Sequence, residues 1–317
     1  MEQKLIFDRF ISLNPADYGK FLLKEINDIL DIDSHYINEY EVLDYLGYKI
    51  EVVNFSEIFK SHHYRKKMGE IYRDTCAILS FKESIILLSN ELNSTRKRMT
   101  LFHEIGHDLI PWHRIFTSYV TRTKDINIAL NKIIERQAFR AGVEIMFPLK
   151  HFLNDSQGLP ITFTSIKYLA NRYRASFEAT CIRYALTHSN IVAIVVVGNK
   201  ENKKEKRIKE EENTLFINLH FDKKTILKNH FPLQVQYCVS SYHFPSHISH
   251  GVEISKNNII YDCWSNKNPV KGKIPASLLG SHKALNYDAE CLYYYNKIFV
   301  LLSYPDYQLE LFKGVIL

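Results

Sequence analysis

The chain has 317 residues, which is enough for two or three domains with sizeable cores. Hydrophobic residues make up 46% and charged residues 24%, which are ordinary values for a globular protein, and the low numbers of Gly (11) and Pro (9) argue against long flexible tails. The formal net charge of +6 permits contact with nucleic acid or with an acidic partner, but it does not require either.

The cysteines and the N-terminus bear on the cellular compartment. The 5 cysteines are odd in number and include no C-x-x-C pair, which argues against a disulfide framework and against a thiolate zinc cluster. The N-terminal segment MEQKLIFDRF carries acidic residues where a signal peptide is apolar, and no apolar run approaches the roughly 18 residues of a membrane span. These patterns predict a cytoplasmic protein without a membrane partner.

Two helices and a strand are predicted at the start of the chain. Pro15 can begin a helix, and apolar residues follow at helical spacing (Leu22, Leu23, Ile26, Ile29 and Leu30). A shorter helix over Glu41–Leu46 ends at Gly47, because glycine readily adopts the left-handed conformation found at helix C-termini. The segment YKIEVV, residues 48–53, then predicts a strand.

A hairpin and a capped helix come next. The runs Thr75–Phe81 and Ser84–Ser89 predict two strands joined by a tight turn at Lys82-Glu83. Residues 93–95, Asn-Ser-Thr, offer side chains that cap a helix N-terminus, so we expect a helix over residues 96–110. Pro111 ends it.

Helices dominate residues 126–188. A long helix is predicted over residues 126–148, ending at Pro148, with Glu135 in its interior among apolar positions. The segments SIKYLANRYRAS and FEATCIRYALTHS then have the rhythm of a helix-turn-helix, with its turn at residues 174–176. The Arg and Lys side chains of this segment would suit a nucleic-acid surface. Packing of the two helices against the preceding domain is the alternative.

The character of the sequence changes at Ser189. The apolar run Asn190–Val197 predicts a buried strand, and residues 199–213 carry mixed charge that is typical of a solvated loop. Further strands are predicted at 214–221, 233–240, 251–254 and 259–264, with a turn at 255–258 between the last two. Residues 292–302 predict a helix or a strand. Strands with few helices indicate a separate α+β domain. Three histidines in it have ligand-like spacing, although Pro245 interrupts any helix there (His243, His247 and His250).

The segment with the clearest chemistry is HEIGH, residues 103–107, inside the capped helix. Two histidines four residues apart lie one turn apart on the same face, so His103 and His107 can bind one metal ion. Glu104 lies beside them and can accept a proton from a water that the metal activates. The pattern is that of a zinc peptidase, although an amphipathic helix with two histidines would look the same in isolation.

A catalytic zinc site needs a third protein ligand, and two candidates compete. His113 completes H-E-x-x-H-x5-H, the metzincin spacing, but Ile110 and Pro111 stand where metzincins have a glycine that turns the chain. Glu135 lies on the second long helix, where other zinc peptidases place a ligating glutamate, although a glutamate on a helix is usually a solvated residue.

The segments NSTRKRMTLFHEIGHDLI and IERQAFRAGVEIMFP together resemble the ImmA/IrrE family of zinc metallopeptidases. That family has R-F-T-L-x-H-E-x-G-H and then E-x-x-A-x-x-F-A-x-x-L-L-M-P. Glu135, Ala138 and Pro148 fall at matching intervals, whereas Ala141 and Gly142 depart from the family pattern. The resemblance implies a gluzincin-like metallopeptidase in which Glu135 completes a Zn²⁺ site, with Mn²⁺ as an alternative metal. Glu104 is then the catalytic base, and His113 or Tyr119 could stabilise the oxyanion.

The resemblance also implies an α+β fold in three parts. These are a zincin-like minimal peptidase core of helices and a small antiparallel sheet (1–148), a helical HTH-like segment (149–188) and a C-terminal α/β GAF-like, sensor-like domain (189–317). The expected substrate is a helix-turn-helix (XRE-type) transcriptional repressor, whose cleavage derepresses stress or mobile-element genes. The alternatives are a non-catalytic metal-containing regulator that binds a partner or DNA, and a phage- or toxin-type protease with another target.

Overall fold

The computed structural model describes residues 14–27, 36–60, 75–114, 126–199, 232–281, 283 and 285–304. The helices in these ranges are α1 Pro15–Asn27, α2 Glu39–Tyr45, α3 Phe55–Lys60, α4 Ser94–Leu109, α5 Ile126–Met146, α6 Leu149–Gln157, α7 Phe163–Arg172, α8 Phe177–Thr187 and α9 Ile259–Asn266. The strands are β1 Lys49–Val53, β2 Ala77–Ser80, β3 Ile85–Ser89, β4 Val192–Asn199, β5 Leu233–Ser240, β6 Val270–Pro275, β7 Asn286–Tyr294 and β8 Lys297–Ser303. The fold is therefore α+β, as predicted. None of the helices described is both long enough and apolar enough to cross a membrane.

Local sequence signals explain the boundaries of α4. The side chain of Asn93 accepts a hydrogen bond from the backbone N–H of Arg96 at 2.9 Å and so caps the helix N-terminus. At the other end Ile110 is extended, with φ −96° and ψ 107°, as expected for a residue before proline. The predicted capped helix is confirmed, and a short helical turn follows it at residues 111–114.

The first sheet has three strands in the order β1-β3-β2. The predicted hairpin is confirmed, since β2 and β3 pair antiparallel across a turn at residues 81–84. The small sheet predicted as antiparallel is mixed, because β1 pairs with β3 in parallel. A tight turn dictates the direction of β2 against β3, whereas β1 reaches the sheet from a distant segment and no turn determines its direction.

Glycines let α1, α4 and α5 approach closely. A Cβ atom added at Gly106 of α4 would lie 2.1 Å from the carbonyl oxygen of Ala138 on α5. A Cβ at Gly142 of α5 would lie 2.3 Å from the carbonyl oxygen of Phe102, and one at Gly19 of α1 would lie 2.3 Å from that of Ala141. Glycine at these three positions therefore sets the separation of the helices.

The chain divides into two compact units. One comprises residues up to Gly158 together with Lys167–Thr180, and the other comprises Leu159–Ile166 together with the residues from Cys181 onward. The chain passes between the units three times, and all three crossings fall inside the segment predicted as helical and HTH-like, residues 149–188. The predicted domain boundaries at 148 and 188 stay a prediction.

The predicted helix-turn-helix rhythm corresponds to α7, a turn and α8. Arg174 in the turn has a positive φ of 47°, which lets the chain reverse between the helices. Most side chains of α8 are buried, and five of them are at most 5% exposed (Thr180, Cys181, Arg183, Tyr184 and Ala185). A recognition helix must present its side chains to a DNA groove, so this burial favours packing over DNA binding.

The second unit is built on a five-stranded antiparallel sheet in the order β5-β4-β8-β7-β6. The predicted strands at 190–197 and 233–240 correspond to β4 and β5. Residues 292–302 form part of the β7–β8 hairpin, whose turn residues Tyr295 and Asn296 both have positive φ. The strand predicted at 251–254 is reduced to an isolated bridge between Gln234 and Glu253. The strand predicted at 214–221 lies outside the described residues, and the GAF-like nature of this unit stays a prediction.

One predicted strand is wrong: residues 259–264 form the start of α9 rather than a strand. The side chain of Asn258 accepts hydrogen bonds from the backbone N–H groups of Ile260 (2.9 Å) and Tyr261 (3.3 Å), which is the geometry of a helix N-cap. Ile260 and Cys263 are both fully buried at helical spacing. The apolar run is short enough to suit either structure, and the cap decides between them.

Candidate metal centre

The two histidines of HEIGH lie one turn apart on α4, as their spacing predicts. The Nε2 atoms of His103 and His107 are 3.1 Å apart. The helix presents both rings from the same face, and His107 is the more buried of the two, at 8% exposure. This pair of nitrogens forms one side of a candidate metal centre.

Helix α5 brings Glu135 to the same place. Its Oε2 lies 2.9 Å from His103 Nε2, and its Oε1 lies 3.5 Å from His107 Nε2. The close packing of α4 and α5 at Gly106 and Ala138 positions the carboxylate, since Ala138 is one turn from Glu135 on the same helix. The structure thus brings together His103, His107 and Glu135, the three residues expected to be ligands.

The spacing of these atoms fits a metal ion. A tetrahedral Zn²⁺ with bonds of about 2.0–2.1 Å separates its ligand atoms by roughly 3.3 Å. The observed separations of 2.9, 3.1 and 3.5 Å bracket that value. Two imidazoles and a carboxylate suit Zn²⁺, and they are also compatible with Mn²⁺. In the part of the chain that the structure describes, this is the one group of three such side chains able to hold a metal ion, and the histidines at 243, 247 and 250 do not form another.

The electrostatics of the group favour a carboxylate facing two imidazoles. Hydrogen bonds from His103 and His107 hold the pKa of the Glu135 carboxyl well below its usual range, against the opposing effect of burial. Burial lowers the pKa of His103, but the hydrogen bond to Glu135 and the charge of Glu104 outweigh it and raise the pKa overall. Glu135 is therefore ionised at neutral pH, which is the state that binds a cation.

Glu104 lies beside this group on α4. Burial raises the pKa of its carboxyl, while His103 and His107 lower it in part. Within the described residues its side chain forms no ion pair and no hydrogen bond. A carboxyl with a raised pKa and no structural partner can take up a proton and release it again.

His113 occupies a different position from the three expected ligands. Its ring is 0% exposed, and burial lowers its pKa to about 4. The Nδ1 atom lies 3.0 Å from Nδ1 of His107, and Nε2 lies 3.1 Å from Oε1 of Gln137. His113 therefore stands behind His107, on the side away from the metal-facing Nε2. Both of its ring nitrogens have partners in this structure, and its role as a possible oxyanion donor stays a prediction. Tyr119, the other expected donor, lies outside the described residues.

Asp108, the residue after His107, has partners outside the group of His103, His107 and Glu135. It accepts a hydrogen bond from the hydroxyl of Tyr48 at 2.6 Å and forms an ion pair with Arg114. Gln137 approaches the histidines instead, and sequence reasoning missed it. Its place near the histidines could have been predicted from its position two residues after Glu135, on a helix that must pack against the HEIGH segment if Glu135 is a ligand.

Comparison with known proteins finds a family that is similar to the part of the chain containing this centre. Residues 60–185, which include the HEIGH segment and Glu135, match the family Peptidase_M78, described as the IrrE N-terminal-like domain. No curated protein matches the chain significantly in sequence. Among solved structures, a Mycobacterium tuberculosis transcriptional regulator is similar at a TM-score of 0.44 and 10% identity, over 95% of this chain and 84% of that one.

Proposed function

We propose that this protein is a metal-dependent endopeptidase whose active site is the centre at His103, His107 and Glu135. The observation that carries the proposal is Glu104, whose carboxyl forms no ion pair or hydrogen bond with the described residues and lies beside three side chains that suit a metal ion. A structural metal site needs no such base, whereas a hydrolytic one does. The Peptidase_M78 match supports the same activity.

In this proposal each residue has one role. His103 and His107 supply nitrogen ligands from one face of α4, and Glu135 supplies the oxygen ligand from α5. Bound there, Zn²⁺ or Mn²⁺ supplies Lewis acidity, which acidifies a water molecule and polarises the substrate carbonyl. The remaining proton chemistry belongs to Glu104.

Glu104 acts as the general base and then as the general acid. Its carboxylate takes a proton from the attacking water and later delivers that proton to the departing amine. Burial favours the protonated intermediate state of the carboxyl, because it disfavours the charged form. The raised pKa therefore suits a group that must hold a proton briefly and give it up.

The substrate that we propose is a helix-turn-helix transcriptional repressor, whose cleavage would derepress stress or mobile-element genes. The support is the resemblance of the HEIGH and Glu135 segments to the ImmA/IrrE family, together with the IrrE-like domain. The proposed setting is the cytoplasm, where such a repressor acts. Because most side chains of α8 are buried, we favour the repressor protein over DNA as the partner of this chain.

The test compares the wild type with Glu104→Gln, using the repressor encoded by the neighbouring gene or one that co-purifies with the protein. Each enzyme is incubated with the repressor and with zinc or manganese, and the products are examined by mass spectrometry. Glu91→Gln, an exposed glutamate just before α4, is the matched control. We expect one discrete cut by the wild type and by the control, and none by Glu104→Gln, although all three bind the repressor. Equal binding with no cut by the wild type would instead identify a non-catalytic regulator.

A further inference from the structure

We propose that Trp112, Gln137 and His113 form a positioning relay, which holds the ring of His107 in the tautomer and orientation that a metal ligand needs. The inference rests on the proposed function, since it concerns the same metal centre. None of the three is a proposed ligand. They reach His107 through Nδ1, whereas the atom that faces His103 and Glu135 is Nε2.

The relay begins at Trp112, whose indole nitrogen can only donate a hydrogen bond. Nε1 of Trp112 lies 3.0 Å from Oε1 of Gln137. The carboxamide of Gln137 must therefore present its oxygen rather than its NH₂ group on this side, and that requirement assigns the amide orientation. Trp112 is itself held in place by an edge contact with Tyr18 of α1, with ring centroids 5.7 Å apart.

The oxygen of Gln137 determines the tautomer of His113. It lies 3.1 Å from Nε2 of His113, so that nitrogen must carry a hydrogen and donate it. The ring of His113 is completely buried, which disfavours the doubly protonated cation. A neutral ring with its hydrogen on Nε2 leaves a lone pair on Nδ1.

The lone pair of His113 in turn determines the tautomer of His107. The two Nδ1 atoms are 3.0 Å apart, and two lone pairs cannot face each other at that distance. His107 must therefore donate from Nδ1, which leaves the lone pair of its neutral ring on Nε2. That is the nitrogen 3.1 Å from His103 Nε2. The hydrogen bonds therefore converge on the oxygen of Gln137, from Trp112 on one side and from His107 through His113 on the other. This arrangement leaves the lone pair of His107 on Nε2, at the proposed metal centre.

Without the relay, His107 could place its hydrogen on either nitrogen and could rotate about its side-chain bonds. A hydrogen on Nε2 would block metal binding, since a ligating imidazole must offer a lone pair. Partners that orient a ligand histidine in this way typically contribute about 10–100-fold to metal affinity. Helix α5 supplies both Glu135 and Gln137, so the packing that places the third ligand also places the relay.

The experiment measures the zinc affinity of the full chain by competition with a chromophoric chelator. His113→Leu removes the acceptor for His107, while His113→Asn keeps a carbonyl oxygen close to the position of Nδ1. Gln137→Leu removes the acceptor for His113, and Gln137→Glu keeps it. We expect zinc affinity to fall about 10–100-fold in the two leucine variants. It should stay within about threefold of wild type in His113→Asn and Gln137→Glu.

Two further measurements separate positioning from general damage to the fold. His188→Leu removes another buried histidine, in the second unit, and should leave zinc affinity unchanged. In the zinc-loaded wild type, NMR should detect a slowly exchanging Nδ1–H proton on His107, and this signal should be lost in His113→Leu but kept in His188→Leu.

Unchanged zinc affinity in His113→Leu overturns the relay. A loss of zinc affinity in His113→Asn as large as that in His113→Leu also overturns it, because an acceptor for the Nδ1–H of His107 would then make no difference. The proposed function fails separately, if Glu104→Gln cleaves the repressor as well as the wild type does.

Discussion

Replacing Gly106 with alanine should damage both the stability of the protein and its metal centre. In a helix this exchange is normally stabilising by about 0.5–1 kcal/mol, because glycine is the more flexible residue in the unfolded chain. Here the added Cβ would lie 2.1 Å from the carbonyl oxygen of Ala138, 2.8 Å from its carbonyl carbon and 3.1 Å from its Cα. All three atoms belong to the backbone of α5, so no side-chain rotation relieves the contact.

The size of the effect follows from these distances. Ordinary contact at a Cβ begins near 3.4 Å, whereas the added Cβ would lie 2.1 Å from the Ala138 oxygen. The backbones of α4 and α5 must therefore move apart locally by about 1.3 Å. Overpacking of this kind costs roughly 1–3 kcal/mol. Because all the contacting atoms are backbone, we expect a cost in the upper half of that range, about 2–3 kcal/mol. Subtracting the normal gain of about 0.5–1 kcal/mol from alanine leaves a net loss of about 1–2.5 kcal/mol, which lowers Tm by roughly 2–10 °C.

The same displacement reaches the metal centre. Glu135 lies one turn from Ala138, so a shift of α5 carries the carboxylate away from His103 and His107. The present separations of 2.9 and 3.5 Å fit a metal ion, and a further ångström would exceed the roughly 3.3 Å between zinc ligands. We expect zinc affinity to fall at least about tenfold, to the extent seen when a ligand's supporting contacts are lost.

The assay is thermal unfolding of the metal-free protein together with zinc titration. Gly142→Ala should behave in the same way, since its Cβ would lie 2.3 Å from the carbonyl oxygen of Phe102. Gly158→Ala is the matched control, because its Cβ would meet nothing within 4 Å and its φ is −81°. That variant should be neutral or slightly stabilised, with unchanged zinc affinity. If Gly106→Ala unfolds at or above the wild-type temperature and binds zinc normally, the close approach of α4 and α5 does not set the ligand spacing.

Two other predictions concern groups away from the proposed site chemistry. Glu39→Leu should destabilise the protein by about 3 kcal/mol in thermal or urea unfolding, because it leaves the guanidinium of Arg98 buried at 2% exposure without its counter-ion. Asp17→Asn breaks an exposed ion pair with Lys20 and should change stability by less than about 1 kcal/mol. If Glu39→Leu and Asp17→Asn lowered stability equally, burial of the ion pair would not decide the size of the loss. Burial raises the pKa of the Cys238 thiol from 9.0 to about 12, so at pH 8 its reactive thiolate is about a thousandfold scarcer than at the ordinary pKa. Iodoacetamide should therefore label Cys238 far more slowly in the folded protein than in urea, with labelling rising as the pH approaches 12; equal rates at pH 8 would refute the shift.

Local elements of this fold could be predicted because their causes lie within a few neighbouring residues. The cap at Asn93, the hairpin turn at residues 81–84 and the stacking of His103 over His107 each depend on contacts within a turn or two. Errors arose where a local pattern suited two structures. The apolar run at 259–264 could pair in a sheet or cover a core as a helix, and only its cap at Asn258 separates the two.

The HEIGH pattern by itself determined that two imidazoles and a carboxyl share one stretch of helix, since the geometry of an α-helix leaves no other arrangement. Whether Glu135 or His113 would join them could not be decided from spacing, because both depend on how α4 packs against later segments. The tertiary structure placed Glu135 beside the Nε2 atoms of His103 and His107, and it placed His113 beside the Nδ1 atom of His107. The physical reason is the contact between Gly106 and the backbone of Ala138, which brings two helices close enough for their side chains to share one ion.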